Sequence, residues 1–174
     1  MFEKGQLDST KIQLPIIRDH KAPKQSDSMI LFVAVDLKQV SVLGRNFPWQ
    51  KPALCLCCKQ SHLWGHGFAD TYFEGYPAAL PMRRYRCPAC GGVIKCRPQG
   101  YFARFQTATA TIRSHLAKRI ATGRWPRWSG RGRHWLAALR RKALAYLGLD
   151  WLRRLVPAFD RLLQLHLVPV SRSF

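Results

Sequence analysis

The sequence predicts a small α+β protein in which a β-rich part is followed by an all-α part. Two observations carry this. Up to about residue 100 the chain alternates short apolar, partly β-branched runs with turn residues, around two tight cysteine pairs. Beyond Tyr101 apolar residues recur at helical spacing. With 174 residues there is room for one ordinary domain or two small ones, so a rigid core is modest or is helped by a metal.

Residues 1–28 are polar apart from a weak apolar patch at Leu14 to Ile17, which predicts a disordered arm. From Met29 the run MILFVAV has strand length and composition. The segment RNFPWQKP then opposes regular structure through its two prolines and leads to the first cysteine pair. Between the pairs, turn signals at Gly75 and Pro77 predict a β-hairpin whose returning strand runs through Met82 to Arg86. A further short strand is expected in GGVIKCR, ending before Pro98, so residues 29–100 form one β-rich unit.

Ala108, Ile112, Leu116 and Ile120 mark a first helix, with Gly123 and Pro126 as its stop. A second helix is predicted from about His134 to Leu147, ended by Gly148. Its apolar side carries Trp135, Leu136, Leu139, Ala143, Tyr146 and Leu147, and its other side Arg133, Arg140 and Arg141 around Ala137, with Leu144 among them. Residues 101–148 thus read as a helix-turn-helix-like region, although the loop from Gly123 to Gly132 exceeds the three or four residues usual for that motif. Residues 149–174 predict a third, amphipathic helix capped by Asp150 and kinked or divided by Pro157. Its leucines suit packing against a neighbour or partner, with Leu155 and Leu162 as candidate partner contacts.

Two cysteines separated by two residues can bend both sulfurs onto one metal, and two such turns complete a tetrahedral shell. Cys55 with Cys58, and Cys87 with Cys90, have this spacing and are the expected ligands of one structural Zn²⁺ in a zinc ribbon. Cys57 then occupies an inner position of the first turn, and Lys59 stands where glycine is more usual, as at Gly91. His62 and His66 are competing ligands, disfavoured by the glycines and aromatics around them, and Cys96 reads as a strand residue. Four cysteines leave no position open for water, so the metal is expected to be structural.

Lys and Arg total 29 against 9 Asp and Glu, and the excess lies almost entirely in the second half: between Arg83 and Leu149 there are sixteen basic residues and no acidic one. Such a field attracts polyanions, and the excess of Arg suits phosphate and base edges. Double-stranded DNA is the expected partner, with Arg83, Arg84, Arg86, Arg124, Arg127, Arg131, Arg133, Arg140, Arg141 and Lys142 as candidate contacts. RNA is an alternative polyanion. No stretch has the order of a signal peptide or the length of a membrane span, which points to a cytoplasmic, nucleoid-associated protein with no membrane partner. The acids Asp36, Asp70, Glu74, Asp150 and Asp160 are scattered and form no evident metal-dependent catalytic cluster, so an enzyme is not expected.

The segments CLCC, HLWGHG, RRYRCPACGG, TIRSHLAKRIATGRWP and GRHWLAALRRKALAYLG together resemble the zinc-ribbon and helix-turn-helix segments of bacterial insertion-sequence proteins. These include small proteins encoded beside transposases and the N-terminal parts of some transposases. The resemblance covers residues 29 to 148. It implies metal ligands at Cys55, Cys58, Cys87 and Cys90, DNA contact around Arg131 to Arg141, and work as a transposase accessory or element-end binder. The carboxylate-bearing nuclease domain of those transposases has no counterpart here, which implies binding rather than catalysis. A docking subunit for a transposase or other large partner, binding nucleic acid only nonspecifically, and an RNA-binding zinc ribbon are the alternative expectations.

Overall fold

The computed structural model describes residues 29–126 and 130–172; the expected arm at 1–28 and the candidate contact Arg127 lie outside the described residues. Strand β1, Met29–Val33, is followed by helix α1, Leu37–Leu43, and a single 3-10 turn at Gly44–Asn46. Strands β2, Trp64–Thr71, β3, Leu80–Arg86, and β4, Val93–Pro98, complete a four-stranded mixed sheet in the order β1-β4-β3-β2. The β2–β3 hairpin and the third strand are as the sequence predicts, except that Pro98 is the last residue of its strand. β1 runs parallel to β4, with Leu31 opposite Cys96, while the other two pairings are antiparallel. In β2 the register shifts between Gly65 and Phe68, where Gly67 takes a φ of 66° that glycine adopts without penalty.

Helix α1 was not expected from the sequence. It starts because the Asp36 carboxylate accepts from the Lys38 amide at 2.9 Å, and it ends at Gly44, whose φ is 57°. Its buried residues, Leu37 and Val40, pack with Phe73, Leu80 and Met82. Since strand side chains alternate, Met82 and Tyr85 face opposite ways. Tyr85 packs with Leu63, Ile94, Cys96 and the cysteine turns, so α1 covers one face of the sheet and the cysteine turns the other.

The second half is helical. Helix α2, Thr109–Thr122, ends as expected at Gly123, whose left-handed φ of 68° lets its amide donate to the Arg119 carbonyl. Helix α3, Gly132–Leu147, starts two residues earlier than predicted and ends at Gly148. The chain then makes a 3-10 turn, Leu149–Arg153, before helix α4, Leu155–Gln164. One expectation is corrected here: Asp150 caps no helix. The predicted helix is divided, though at Arg154 rather than at Pro157 itself, which lies in the first turn of α4, where its missing N–H leaves no helix bond unmade.

Ile112 and Leu116 of α2, Trp135 and Leu139 of α3, and Phe159 and Leu162 of α4 share one core. Leu155 and Leu162, expected to meet a partner, are 6% and 0% exposed and lie inside it, turned toward α2 and α3. Arg113 of α2 clamps Asp160 of α4 through two bonds of 2.7 Å. Between the two halves stands Arg97, 4% exposed, donating to the carbonyls of Phe102 and Phe105 and lying 5.3 Å over the Phe73 ring. Backbone bonds from Glu74 to Gln106 (2.9 Å) and from Thr109 to Gly100 (2.7 Å) add to this junction.

Candidate metal centre and nucleic-acid interface

The two cysteine turns are built alike. In the first, the Lys59 amide donates to the Cys55 carbonyl at 3.1 Å and the Cys55 amide to the Gln60 carbonyl at 2.8 Å. In the second, Gly91 donates to Cys87 and Cys87 to Gly92, both at 2.9 Å. The residue that closes each turn is left-handed, Lys59 with φ 61° and Gly91 with φ 70°. Lys59 therefore takes the backbone conformation of the glycine that the sequence pattern leads one to expect, an arrangement that costs a side-chain-bearing residue about 1 to 2 kcal/mol.

These turns bring the sulfurs of Cys55, Cys58, Cys87 and Cys90 within 4.8 Å of one another. Cys55 and Cys90 sulfurs are 3.7 Å apart, and those of Cys58 and Cys87 3.5 Å. Both are too long for a disulfide. They match the edge of about 3.8 Å that four sulfurs make around an ion at about 2.3 Å from each. Among the described residues this is the one group of His, Cys, Asp and Glu that could hold a metal ion. His62 and His66 are not in it, Cys57 is exposed, and Cys96 is buried in the sheet with its thiol pushed up to about 11 by burial.

The electrostatics favour a cation. The Cys90 amide, despite burial, holds the Cys87 thiol down to about 7. For Cys90, the Gly92 amide favours the thiolate, but burial and the adjacent sulfurs prevail and push it up to about 12. Packed thiols of this kind cannot all ionise against one another; a bound cation reverses that and deprotonates them together.

The candidate nucleic-acid contacts divide by position. On α3, Arg133, Ala137, Arg140, Arg141 and Leu144 are all exposed and fall at spacings of three and four, so they form one stripe opposite the buried Trp135, Leu139 and Ala143. Arg131, just before the helix, and Arg124, after α2, are exposed too. Lys142 is corrected: it is 5% exposed, and its ammonium donates to the Val168 carbonyl at 2.9 Å and the Ser171 hydroxyl at 2.7 Å. Burial lowers its pKa. It anchors the segment after α4 to α3 and is not open to a phosphate.

On the sheet, Arg86 is exposed and pairs in register with Trp64, while Arg83 and Arg84 are half-buried. Arg83 lies over the rings of Phe68 and Tyr85 and lines a cleft of about 420 Å³ with Arg45, Trp49 and Lys51. Sequence reasoning passed over this cleft. Its one local signal is the alternation of cations and aromatics in RNFPWQK, which reads equally well as a loop.

Among the described residues no helix is long and apolar enough to cross a membrane. No protein-family model, curated protein or solved structure matches the chain.

Proposed function

We propose that this chain is a non-catalytic, zinc-containing DNA-binding protein that works with a mobile element, as a transposase accessory or a binder of element ends. The observation that carries the reading is the arginine stripe of α3. Arg133, Arg140 and Arg141 stand on one exposed helical face, with the small Ala137 between them and the opposite face fixed in a core. A helix held in this way presents planar forks to a groove at little entropic cost. The four-sulfur site supports zinc over harder ions, since all-thiolate tetrahedral shells suit soft or borderline metals, and it supports a structural role because no ligand position is left for water.

The test is duplex binding titrated over salt. Arg140→Ala or Arg141→Ala should either lower the salt slope by about one for all sequences, if the lost contact is to phosphate, or cost about 1 to 3 kcal/mol on selected sites only, if it is to a base. Equal effects from these and from an exposed arginine outside α3, such as Arg172, would remove α3 from the interface. Metal analysis of the same preparation should find about one zinc per chain.

A further inference from the structure

The cleft between the β2–β3 hairpin and the segment leading to the first cysteine turn has a composition that its structural duties do not explain. Three cations line it, Arg45, Lys51 and Arg83, and no carboxylate does. Among the described residues the ion pair is Arg113–Asp160, far along the chain, so the three cations are not neutralised by acids. Its walls are aromatic. The Arg83 guanidinium carbon lies 4.8 Å from the Phe68 ring centre and 5.7 Å from that of Tyr85, and the Arg45 carbon lies 5.9 Å from Phe68. Trp49, which also lines the cleft, buries its indole N–H without a hydrogen-bond partner. The volume, about 420 Å³, is that of a small-ligand site.

Uncompensated cations select an anion, and flat walls with a stacked guanidinium select a planar group. One ligand carries both: a nucleotide. We propose that this cleft holds one unpaired nucleotide of single-stranded DNA, with the base stacked on the Arg83 guanidinium, which the Phe68 ring backs, and the backbone phosphate beside Arg45 and Lys51. A duplex keeps its base faces stacked inside and cannot supply the planar group. The choice of a DNA strand over RNA follows the duplex-DNA reading above. The inference rests on the nucleic-acid reading above and adds a second, strand-selective site to it. A protein acting where a duplex is opened would then hold the duplex by α3 and the freed strand by the sheet.

Gly65 provides a test that changes no charge. A Cβ built there would meet the Arg83 guanidinium, 3.2 Å from its central carbon, and that group is the free end of a flexible side chain able to swing away. Gly65→Ala should therefore fold and bind metal normally while displacing Arg83 from the cleft. Phe68→Leu is the second variant, removing the ring that backs the Arg83 guanidinium and keeping an apolar residue. Anisotropy of labelled oligo(dT), with a duplex of random sequence measured in parallel, should show either variant weakening single-strand binding about five- to one-hundred-fold and leaving the duplex unchanged. Arg140→Ala should do the reverse.

Thymidine monophosphate should compete weakly and inorganic phosphate at the same concentration hardly at all. If Gly65→Ala and Phe68→Leu leave oligo(dT) binding intact, or weaken strand and duplex alike, the cleft is not a strand site. Competition by phosphate as strong as by the nucleotide overturns it as a mere anion site. Free nucleotide binding as tightly as oligo(dT), or oligo(U) binding more tightly than oligo(dT), overturns the assignment to a DNA strand. Duplex binding that depends on Arg140 while both cleft variants are silent sinks this inference alone; wild-type protein that binds neither strand nor duplex sinks the proposed function with it.

Discussion

Lys59 and Gly91 hold the same place in two equivalent turns, and only one of them is suited to it. Both are left-handed, and a Cβ at Gly91 would meet nothing within 4 Å, so the cost of a side chain there is purely one of backbone conformation. Gly91→Ala should therefore destabilise the metal-bound protein by about 1 kcal/mol, and Lys59→Gly should stabilise it by a similar or smaller amount. Thermal melting of zinc-loaded protein checks both; a stabilising Gly91→Ala would contradict the turn assignment. Asp160 offers a pH-dependent case. The Arg113 guanidinium holds its carboxyl below the usual range, so the pair's contribution is complete above about pH 4 and disappears as the pH falls through the lower folded value. Both groups are two-fifths or more exposed, and Asp160→Asn should cost no more than about 1 kcal/mol at pH 7 and less as the pH is lowered below the usual carboxylate range, which urea melts across that range would show. At this scale the clustering of Cys55, Cys58, Cys87 and Cys90 was legible in the sequence because a two-residue spacing bends both sulfurs of a pair to one side. Lys142 was not: a lysine on an arginine-rich helix looks like its neighbours until the segment carrying Val168 and Ser171 folds over it.

Among the elements, α2 and α3 were readable from their apolar spacing and their terminal glycines, which are local signals. Helix α1 was missed because seven residues give barely two turns of pattern, and its sole strong sign is the Asp36 cap. The case of α4 is instructive in a different way. Leucines at 155 and 162 make an apolar stripe whether the surface they meet belongs to the same chain or to another, so periodicity alone could not tell a core from a docking face. The fold places them in the core, and Leu162→Ala should cost about 2 to 5 kcal/mol of stability. Leu149→Ala, at a side chain 72% exposed, should stay within about 0.5 kcal/mol. Denaturant melts separate the two; equal effects would mean that α4 packs differently.

For the whole molecule, the sequence announced two halves but not how they are joined. The junction depends on Arg97, a strand residue whose guanidinium reaches the carbonyls of the next loop. Its removal takes a donor from the part-buried Phe105 carbonyl, while the Phe102 carbonyl keeps the Phe105 amide at 3.1 Å. Arg97→Met should cost about 1 to 3 kcal/mol and divide one cooperative unfolding event into two, seen by calorimetry as a broadened or split transition, with chelation then melting only the sheet half. A single sharp transition in this variant would show that the backbone bonds at Glu74 and Thr109 suffice. The mixed sheet was equally beyond sequence reasoning, since nothing local in MILFV says that it pairs with VIKCRP or that the two run parallel.

That pairing has a consequence during synthesis. Met29 lies opposite Ile94, so β1 leaves the ribosome roughly 65 residues before its partner exists. At about 5 to 20 residues per second the apolar strand waits on the order of 3 to 13 s, whereas each cysteine turn closes over four residues as soon as it emerges. The hairpin and the first cysteine turn can thus precede β1 docking. Any delay in completing the sheet would leave an unpaired apolar strand for chaperones, proteases or other copies to find.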